Sequence, residues 1–161
     1  MWYNKTGELG KGGFLVRNII NLSEKEIKQL LTRLVLTAFF GDGFRTDFLQ
    51  FDIVFRRDQL ESRFGQYDLI KHEIEISNPH PDLVNNWKTL IHELSHHIDW
   101  CQRGFSNHDE NFYRVYKKLL WAAMDLQWFP PELLANATPN SGDHSKMIQI
   151  IRGYKKMLAQ R

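Results

Sequence analysis

The stretch Asn85-Asn86-Trp87-Lys88-Thr89-Leu90-Ile91-His92-Glu93-Leu94-Ser95-His96-His97-Ile98-Asp99-Trp100 decides the fold of this chain. It contains no Pro or Gly, and its apolar residues recur at the three-and-four spacing of a helix with one buried stripe. Asp82 before the stretch suits an N-cap, and Gly104 after it lies where a helix C-terminus is expected. The sequence therefore predicts a long amphipathic helix. Its apolar positions are Trp87, Leu90, Ile91, Leu94 and Ile98.

This helix carries the motif His92-Glu93-Leu94-Ser95-His96. Residues four apart project from one face of a helix, so the imidazoles of His92 and His96 can bind one metal ion. The carboxylate of Glu93 can then reach a metal-bound water without itself being a ligand. Two His ligands and a Glu general base are typical of zinc peptidases, and the motif predicts a zinc site with Glu93 as the catalytic base.

A catalytic zinc ion usually has three protein ligands, so at least one more is needed. His97 lies about 100° around the helix from His96 and cannot reach the same ion. Asp99 shares the face of His92 and His96, and its carboxylate either accepts a hydrogen bond from a ligand imidazole or is simply solvated. The downstream candidates are His97, Asp99, His108, Asp109, Glu110 and His144.

His108 is the best third ligand among these. It follows the turn-like run Gly104-Phe105-Ser106-Asn107 and opens a second apolar-periodic stretch, which predicts a helix that packs back on the first. Asp109 and Glu110 fit equally well as acidic residues that stabilise the first turn of that second helix. Its apolar positions are Phe112, Val115, Tyr116, Leu119, Leu120 and Ala123.

The two segments together resemble the zincin core of SprT-like metallopeptidases and of the related WLM-type proteases. Those families place a third zinc His in a short His-x-x-x-Phe element, matched here by His108 and Phe112. The resemblance implies one Zn²⁺ bound by His92, His96 and His108, and proteolysis of proteins bound to DNA. It covers about residues 23–120 as an architecture, although only about twenty residues match as a motif.

The chain departs from that resemblance at two points. Asn107 and Asp109 flank His108, where SprT-like proteins usually have Gly. The Cys-rich zinc ribbon of longer family members has no counterpart, because Cys101 is the one cysteine in the sequence.

The remaining segments predict a scaffold for one α+β, zincin-like domain spanning residues 1–161. A loose arm covers residues 1–20, and Ser23 with Glu26 forms a capping box that opens a helix reaching about residue 40. Strands are predicted over 51–56 and 67–76, and the second of them, which ends at Ile76, is expected to be the edge on which an extended substrate lies. The zincin core is assigned to 23–120 and a helical extension to 121–161, with a helix over about 143–158.

The sequence indicates the cell interior as the default location. The N-terminus lacks an apolar signal region, which favours a cytoplasmic location, and no stretch approaches the length of a membrane span. Residues 117–161 contain seven Lys or Arg against three Asp or Glu. That excess predicts at most weak, sequence-independent attraction to DNA.

The sequence thus predicts a zinc-dependent endopeptidase in which Glu93 activates a water for attack on a peptide bond. The substrate would be a protein or peptide, and the sequence does not choose among Tyr113, Tyr116, Tyr154 and His144 as the group that assists the oxyanion. Two alternatives remain. One is a non-catalytic zincin-fold protein that regulates by binding, against which the intact Glu93 argues; the other is a metal-free amphipathic helix.

Overall fold

A computed structural model describes residues 18–56, 64–77, 79, 82–136 and 143–161 of the chain. Its described part has the predicted α+β architecture, with five α-helices and one three-stranded sheet. The helices are α1 (Glu24–Phe39), α2 (Leu83–Arg103), α3 (Glu110–Asp125), α4 (Pro131–Asn136) and α5 (His144–Leu158). The strands are β1 (Asp52–Phe55), β2 (Gly65–Asp68) and β3 (Glu73–Ile76).

Helix α1 begins as the sequence predicts. The Ser23 hydroxyl accepts a hydrogen bond from the Glu26 amide at 3.2 Å, and the Glu26 carboxylate accepts one from the Ser23 amide at 2.8 Å. This reciprocal pair satisfies two amides that the first turn leaves without helical partners. The apolar face of α1 is buried against α3 and β1, so the helix supports the sheet from the side of β1.

The segment predicted as one strand over 67–76 is two strands, and this prediction was wrong. Asp68 ends β2, and its carboxylate accepts hydrogen bonds from the amides of Ile70 and Lys71 at 2.9 and 3.0 Å. His72 then adopts a left-handed conformation with φ of 56°. The Asp side chain thereby caps a tight turn that reverses the chain, as Asp does in many turns that contain no Gly.

The strand that was expected to be the edge for an extended substrate is not an edge strand. The order is β1-β3-β2, with β3 parallel to β1 and antiparallel to β2. The strand that ends at Ile76 is therefore central, and both of its sides are already paired. Within the described part of the chain, β1 and β2 are the edge strands, and only an edge strand has free amide and carbonyl groups for an added strand.

Helix α2 is the centre of the core. Its predicted stripe, from Trp87 to Ile98, is buried throughout, and the helix packs against α3, α4, β2 and β3. The Asp82 carboxylate accepts hydrogen bonds from the amides of Val84 and Asn85, which confirms the predicted N-cap. Gly104 ends the helix with a φ of 76°, a left-handed conformation that Gly adopts at little cost.

The N-terminal arm predicted over residues 1–20 overlaps the packed core at its last residues. Residues 1–17 lie outside the described part of the chain, but Ile19–Asn21 forms a 3-10 turn whose Ile19 side chain is 1% exposed. The packed core therefore extends into the predicted arm. Over the residues described, no helix is both long and apolar enough to cross a membrane.

Arg103, in the last turn of α2, joins this helix to the start of α3. Its guanidinium donates to both carboxylate oxygens of Asp99, at 2.8 and 2.5 Å, and to both of Asp109, at 2.8 and 3.0 Å. The Asp99 side chain is fully buried, so its charge depends on Arg103 for stabilisation. The Asp109 carboxylate also caps α3 by accepting hydrogen bonds from the amides of Asn111 and Phe112.

We predict that Arg103→Met destabilises the fold strongly. The substitution leaves the buried Asp99 carboxylate without its counter-charge, and such a loss costs about 3 kcal/mol in the free energy of unfolding. Urea denaturation followed by circular dichroism measures it. Arg114→Met is the matched control. Arg114 forms an exposed pair with Glu110 at 3.7 Å, and its substitution should change stability by less than about 0.5 kcal/mol. Equal effects of the two substitutions would contradict this account.

Candidate metal centre

Helix α2 presents His92, Glu93 and His96 on adjoining positions of one surface. The four-residue spacing places the rings of His92 and His96 with their centroids 5.0 Å apart. Both side chains are half-buried, because α3 packs over this part of α2. The helix thereby supplies two imidazoles that face the same point.

His108 completes the group from the turn before α3. Its Nε2 atom lies 3.1 Å from His92 Nε2 and 3.0 Å from His96 Nε2. Nitrogen ligands at about 2.0–2.1 Å from a tetrahedral zinc ion are separated by about 3.3 Å, which is close to these distances. The predicted convergence of His92, His96 and His108 is therefore present, and the three residues could hold a metal ion.

The Nε2 atoms of the three His residues face the shared point. In His92 and His96 the other ring nitrogen, Nδ1, bonds to an oxygen outside the metal group. His92 Nδ1 lies 2.7 Å from Asp143 Oδ2, and His96 Nδ1 lies 2.8 Å from Ser106 Oγ. With Nδ1 protonated and donating to these oxygens, the Nε2 lone pair is free to bind a metal. The Phe112 ring packs against both His92 and His96, with centroids 5.0 and 4.5 Å away, and fixes the ring planes further.

Electrostatics favour the neutral imidazoles that metal binding requires. Burial, together with the neighbouring His92 and His108, lowers the pKa of His96 to about 3. Burial also lowers the pKa of His108. Burial alone would raise the pKa of Asp143, but hydrogen bonds from His92 and Tyr113 outweigh it and lower that pKa to about 2. Asp143 is therefore a carboxylate, the stronger acceptor for the His92 N–H.

Asp99 was predicted to accept a hydrogen bond from a ligand imidazole, but other residues accept these bonds. The Asp99 carboxylate lies in the salt bridge with Arg103, and the Nδ1 atoms of His92 and His96 bond to Asp143 and Ser106 instead. Asp99 shares the helix face of the ligands, but Arg103 one turn further on provides a full charge and draws the carboxylate away from the metal group. Sequence reasoning missed both Asp143 and Ser106.

The other candidate ligands lie outside the metal group. His97 is 1% exposed, and its ring nitrogens lie 2.8 Å from the Tyr67 hydroxyl and 3.1 Å from the Asp47 carbonyl. Asp109 caps α3, as the alternative interpretation of that residue predicted. The carboxylate of Glu110 is exposed and pairs with Arg114.

A cavity of about 290 Å³ adjoins the metal group, and Glu93 and His92 lie in its wall. Gly65, the first residue of β2, and Phe64 before it form one rim. A Cβ atom at Gly65 would lie 2.9 Å from Thr89 Cγ2 and 3.6 Å from Glu93 Cγ, so only Gly lets the edge strand approach α2 this closely. Glu93 therefore lies against an edge strand and in the wall of the cavity that adjoins the metal group.

The candidates for oxyanion assistance separate into two groups. Tyr116 and His144 line the cavity. The Tyr113 hydroxyl donates to Asp143 Oδ1 at 2.6 Å, and that of Tyr154 donates to Asp125 at 2.8 Å. Tyr113 thus helps to fix Asp143, and Tyr154 is used elsewhere in the fold.

Comparison of the chain with models of known families, with curated proteins and with solved structures found no match.

We predict that His108→Ala reduces metal binding as severely as His92→Ala. Both substitutions remove one of three converging nitrogens, so each should leave less than about a tenth of the stoichiometric zinc that the parent retains after dialysis. The measurement is metal analysis by plasma mass spectrometry. His144→Ala is the control and should keep full occupancy. A fully occupied His108→Ala protein would refute the ligand assignment.

We predict that Asp143→Asn weakens zinc binding by about 10- to 100-fold, the usual effect of losing a carboxylate that orients a ligand imidazole. The amide keeps the size of the side chain but removes the charge that stabilises the His92 N–H. Competition titration with a chromogenic chelator measures the affinity. Asp125→Asn, which removes another carboxylate bonded to a Tyr hydroxyl, is the control and should leave the affinity unchanged. An unaltered affinity in Asp143→Asn would show that this contact is incidental.

Proposed function

We propose that this chain is a zinc-dependent endopeptidase of the SprT-like and WLM type. The observation that carries the proposal is the position of Glu93, which adjoins three converging imidazoles and lines a cavity bounded by an edge strand. A purely structural zinc site needs four closed ligands and has no use for a neighbouring carboxylate. Three His ligands leave one coordination position open.

The donor set fits zinc. Three neutral imidazoles suit Zn²⁺ better than Mg²⁺ or Ca²⁺, which prefer oxygen ligands. Asp143 and Ser106 orient two of the three rings, as is usual around ligating His. A bound zinc ion would lower the pKa of a water molecule and polarise a substrate carbonyl.

Glu93 would then act as the proton carrier. Its carboxylate accepts the proton of the attacking water and returns it to the nitrogen of the leaving amine. Because Glu93 lies beneath Gly65, a substrate chain added to the edge of β2 would run directly over this carboxylate. The edge strand in this proposal is β2, in place of the strand ending at Ile76. Tyr116 or His144 would stabilise the oxyanion from the cavity wall.

Action on DNA-associated proteins stays a prediction, and it rests on the family resemblance. Several cations of the C-terminal part have acidic partners: Lys118 pairs with Asp42 at 3.0 Å, and Lys155 pairs with Glu132 at 2.8 Å. These pairs reduce the positive charge that this surface offers to phosphate. Any attraction to DNA would be weak and independent of base sequence, and would fall with increasing salt.

We predict that Glu93→Gln abolishes peptide hydrolysis while leaving the metal in place. The amide keeps the shape of the side chain but cannot accept a proton, so kcat/KM should fall by at least about 10²-fold. The measurement uses the zinc-loaded protein and a mixture of internally quenched peptides. Zinc content and melting temperature should match those of the parent. Equal turnover in parent and variant, or none in the parent, would contradict the proposal.

A further inference from the structure

A groove of about 380 Å³ lies between α3 and α5, outside the cavity that Glu93 lines. The two helices run in the same direction along it, because Lys146 lies over the ring of Tyr113 and, further along both helices, the Trp121 N–H donates to the Ile150 carbonyl. The walls of the groove include Tyr113, Lys117 and Trp121 from α3, and Lys146, Ile150 and Gly153 from α5.

The groove begins beside the metal group. His108 lies two residues before the first residue of α3, and Asp143, which bonds to a ligand imidazole, immediately precedes α5. Tyr113 connects the two, because its hydroxyl donates to Asp143 and its ring centroid lies 6.4 Å from that of His108. From Glu110 to Trp121 the groove follows α3 for about 16 Å, a length that an extended chain of about five residues would span.

Two lysine side chains give the groove its charge. Lys117 and Lys146 are exposed, and over the residues described neither of them pairs with a carboxylate. Their ammonium groups lie over aromatic rings, 4.4 Å from the ring centre of Trp121 and 5.5 Å from that of Tyr113. A ring holds an ammonium group in place without cancelling its charge, so both cations stay available to an anion.

The other charged residues in the groove walls are Glu110 and Arg114. They pair with each other at 3.7 Å, so their charges offset, and the groove as a whole has three cations against one carboxylate. Lys118 and Lys155 lie on the same two helices outside the groove, and both pair with acidic side chains. The positive charge that remains for a ligand is therefore concentrated in the groove.

The aromatic rings favour a peptide over a nucleic acid. Single-stranded nucleic acids bind largely by stacking bases on open ring faces. Here the lysines cover one face of each ring. Gly153 brings α5 against the Trp121 indole, where a Cβ atom would lie 3.3 Å from Cζ2. The groove therefore presents ammonium groups beside partly buried rings, and carboxylate side chains complement that arrangement.

On the basis of the proposed peptidase function, we propose that this groove is an exosite, a binding site outside the catalytic cavity, for an acidic segment of the protein substrate. Glu or Asp side chains of an extended segment pair with Lys117 and Lys146, a few residues away from the bond that is cleaved. Because these contacts do not change during the chemical step, they strengthen substrate binding and leave kcat unaltered.

The direct test is peptide binding. Two short labelled peptides with blocked ends, one with Glu at alternate positions and the other with Gln there, are titrated by fluorescence anisotropy into zinc-loaded Glu93→Gln protein. We expect the Glu peptide to bind about 10-fold more tightly at low salt, as two exposed ion pairs allow. Lys117→Gln combined with Lys146→Gln should reduce the ratio to within about twofold.

The matched control combines Arg152→Gln with Lys156→Gln. It removes two exposed cations of α5 that do not line the groove, and the ratio should stay unchanged. Equal binding of the two peptides, or a preference that the control variant loses to the same extent, would overturn the inference. A single-stranded oligonucleotide is titrated in parallel. Tighter binding of the oligonucleotide than of the Glu peptide, lost in the groove variant, would assign the groove to nucleic acid and also overturn the inference.

Hydrolysis separates this inference from the proposed function. Two internally quenched peptides share the same cleaved sequence, and only one of them carries acidic segments several residues to either side. In the parent, the acidic segments should lower KM by about 10-fold at unchanged kcat, and the double substitution of Lys117 and Lys146 should remove that difference. Groove-dependent binding without any hydrolysis would support the groove and contradict the peptidase. Hydrolysis that is independent of both lysines, with no preference in binding, would leave the peptidase standing and refute the exosite.

Discussion

The ion pairs that Arg103 makes with Asp99 and Asp109 hold the turn between α2 and α3, and the metal group depends on that turn. Gly104 reverses the chain immediately after Arg103, and His108 immediately precedes the Asp109 cap of α3. Because Arg103 bonds to the end of one helix and the start of the next, the approach of His108 to the α2 imidazoles is set by a charged contact. The buried position of Asp99 makes this contact costly to break.

Desolvation is the second factor that shapes the site. The Nε2 atom of His108 lies about 3 Å from the Nε2 atoms of both His92 and His96. Positive charges on neighbouring rings would repel strongly at such distances, and burial lowers the pKa of His96 and of His108. The same low-polarity surroundings strengthen the interaction of His92 with the Asp143 carboxylate. The site is thus organised to present neutral lone pairs to a cation, with the Asp143 carboxylate held behind a ligand ring.

Local sequence signals predicted α2 and its two caps, and the apolar period of α3 placed His108 near the α2 ligands. Both predictions were possible because helix formation and capping depend on residues only a few positions apart. Asp143 could not be found in this way. It reaches His92 from the start of α5, and only tertiary packing brings the two together. The β2–β3 turn was missed because its left-handed residue is His72, where Gly or Asn would have signalled a turn. The expected bond from Asp99 to a ligand imidazole is not formed, because Asp99 also lies four residues before Arg103 on α2 and pairs with that charge instead.

The most direct test of the central claim is X-ray absorption spectroscopy at the zinc edge, on protein loaded with one equivalent of zinc. The account predicts three imidazole nitrogens at about 2.0–2.1 Å and one further light ligand, with no sulfur in the first shell. Substituting Ala for His108 should remove one imidazole from the fitted shell. A sulfur ligand at about 2.3 Å, which would have to come from Cys101, or the absence of imidazole scattering would contradict the account.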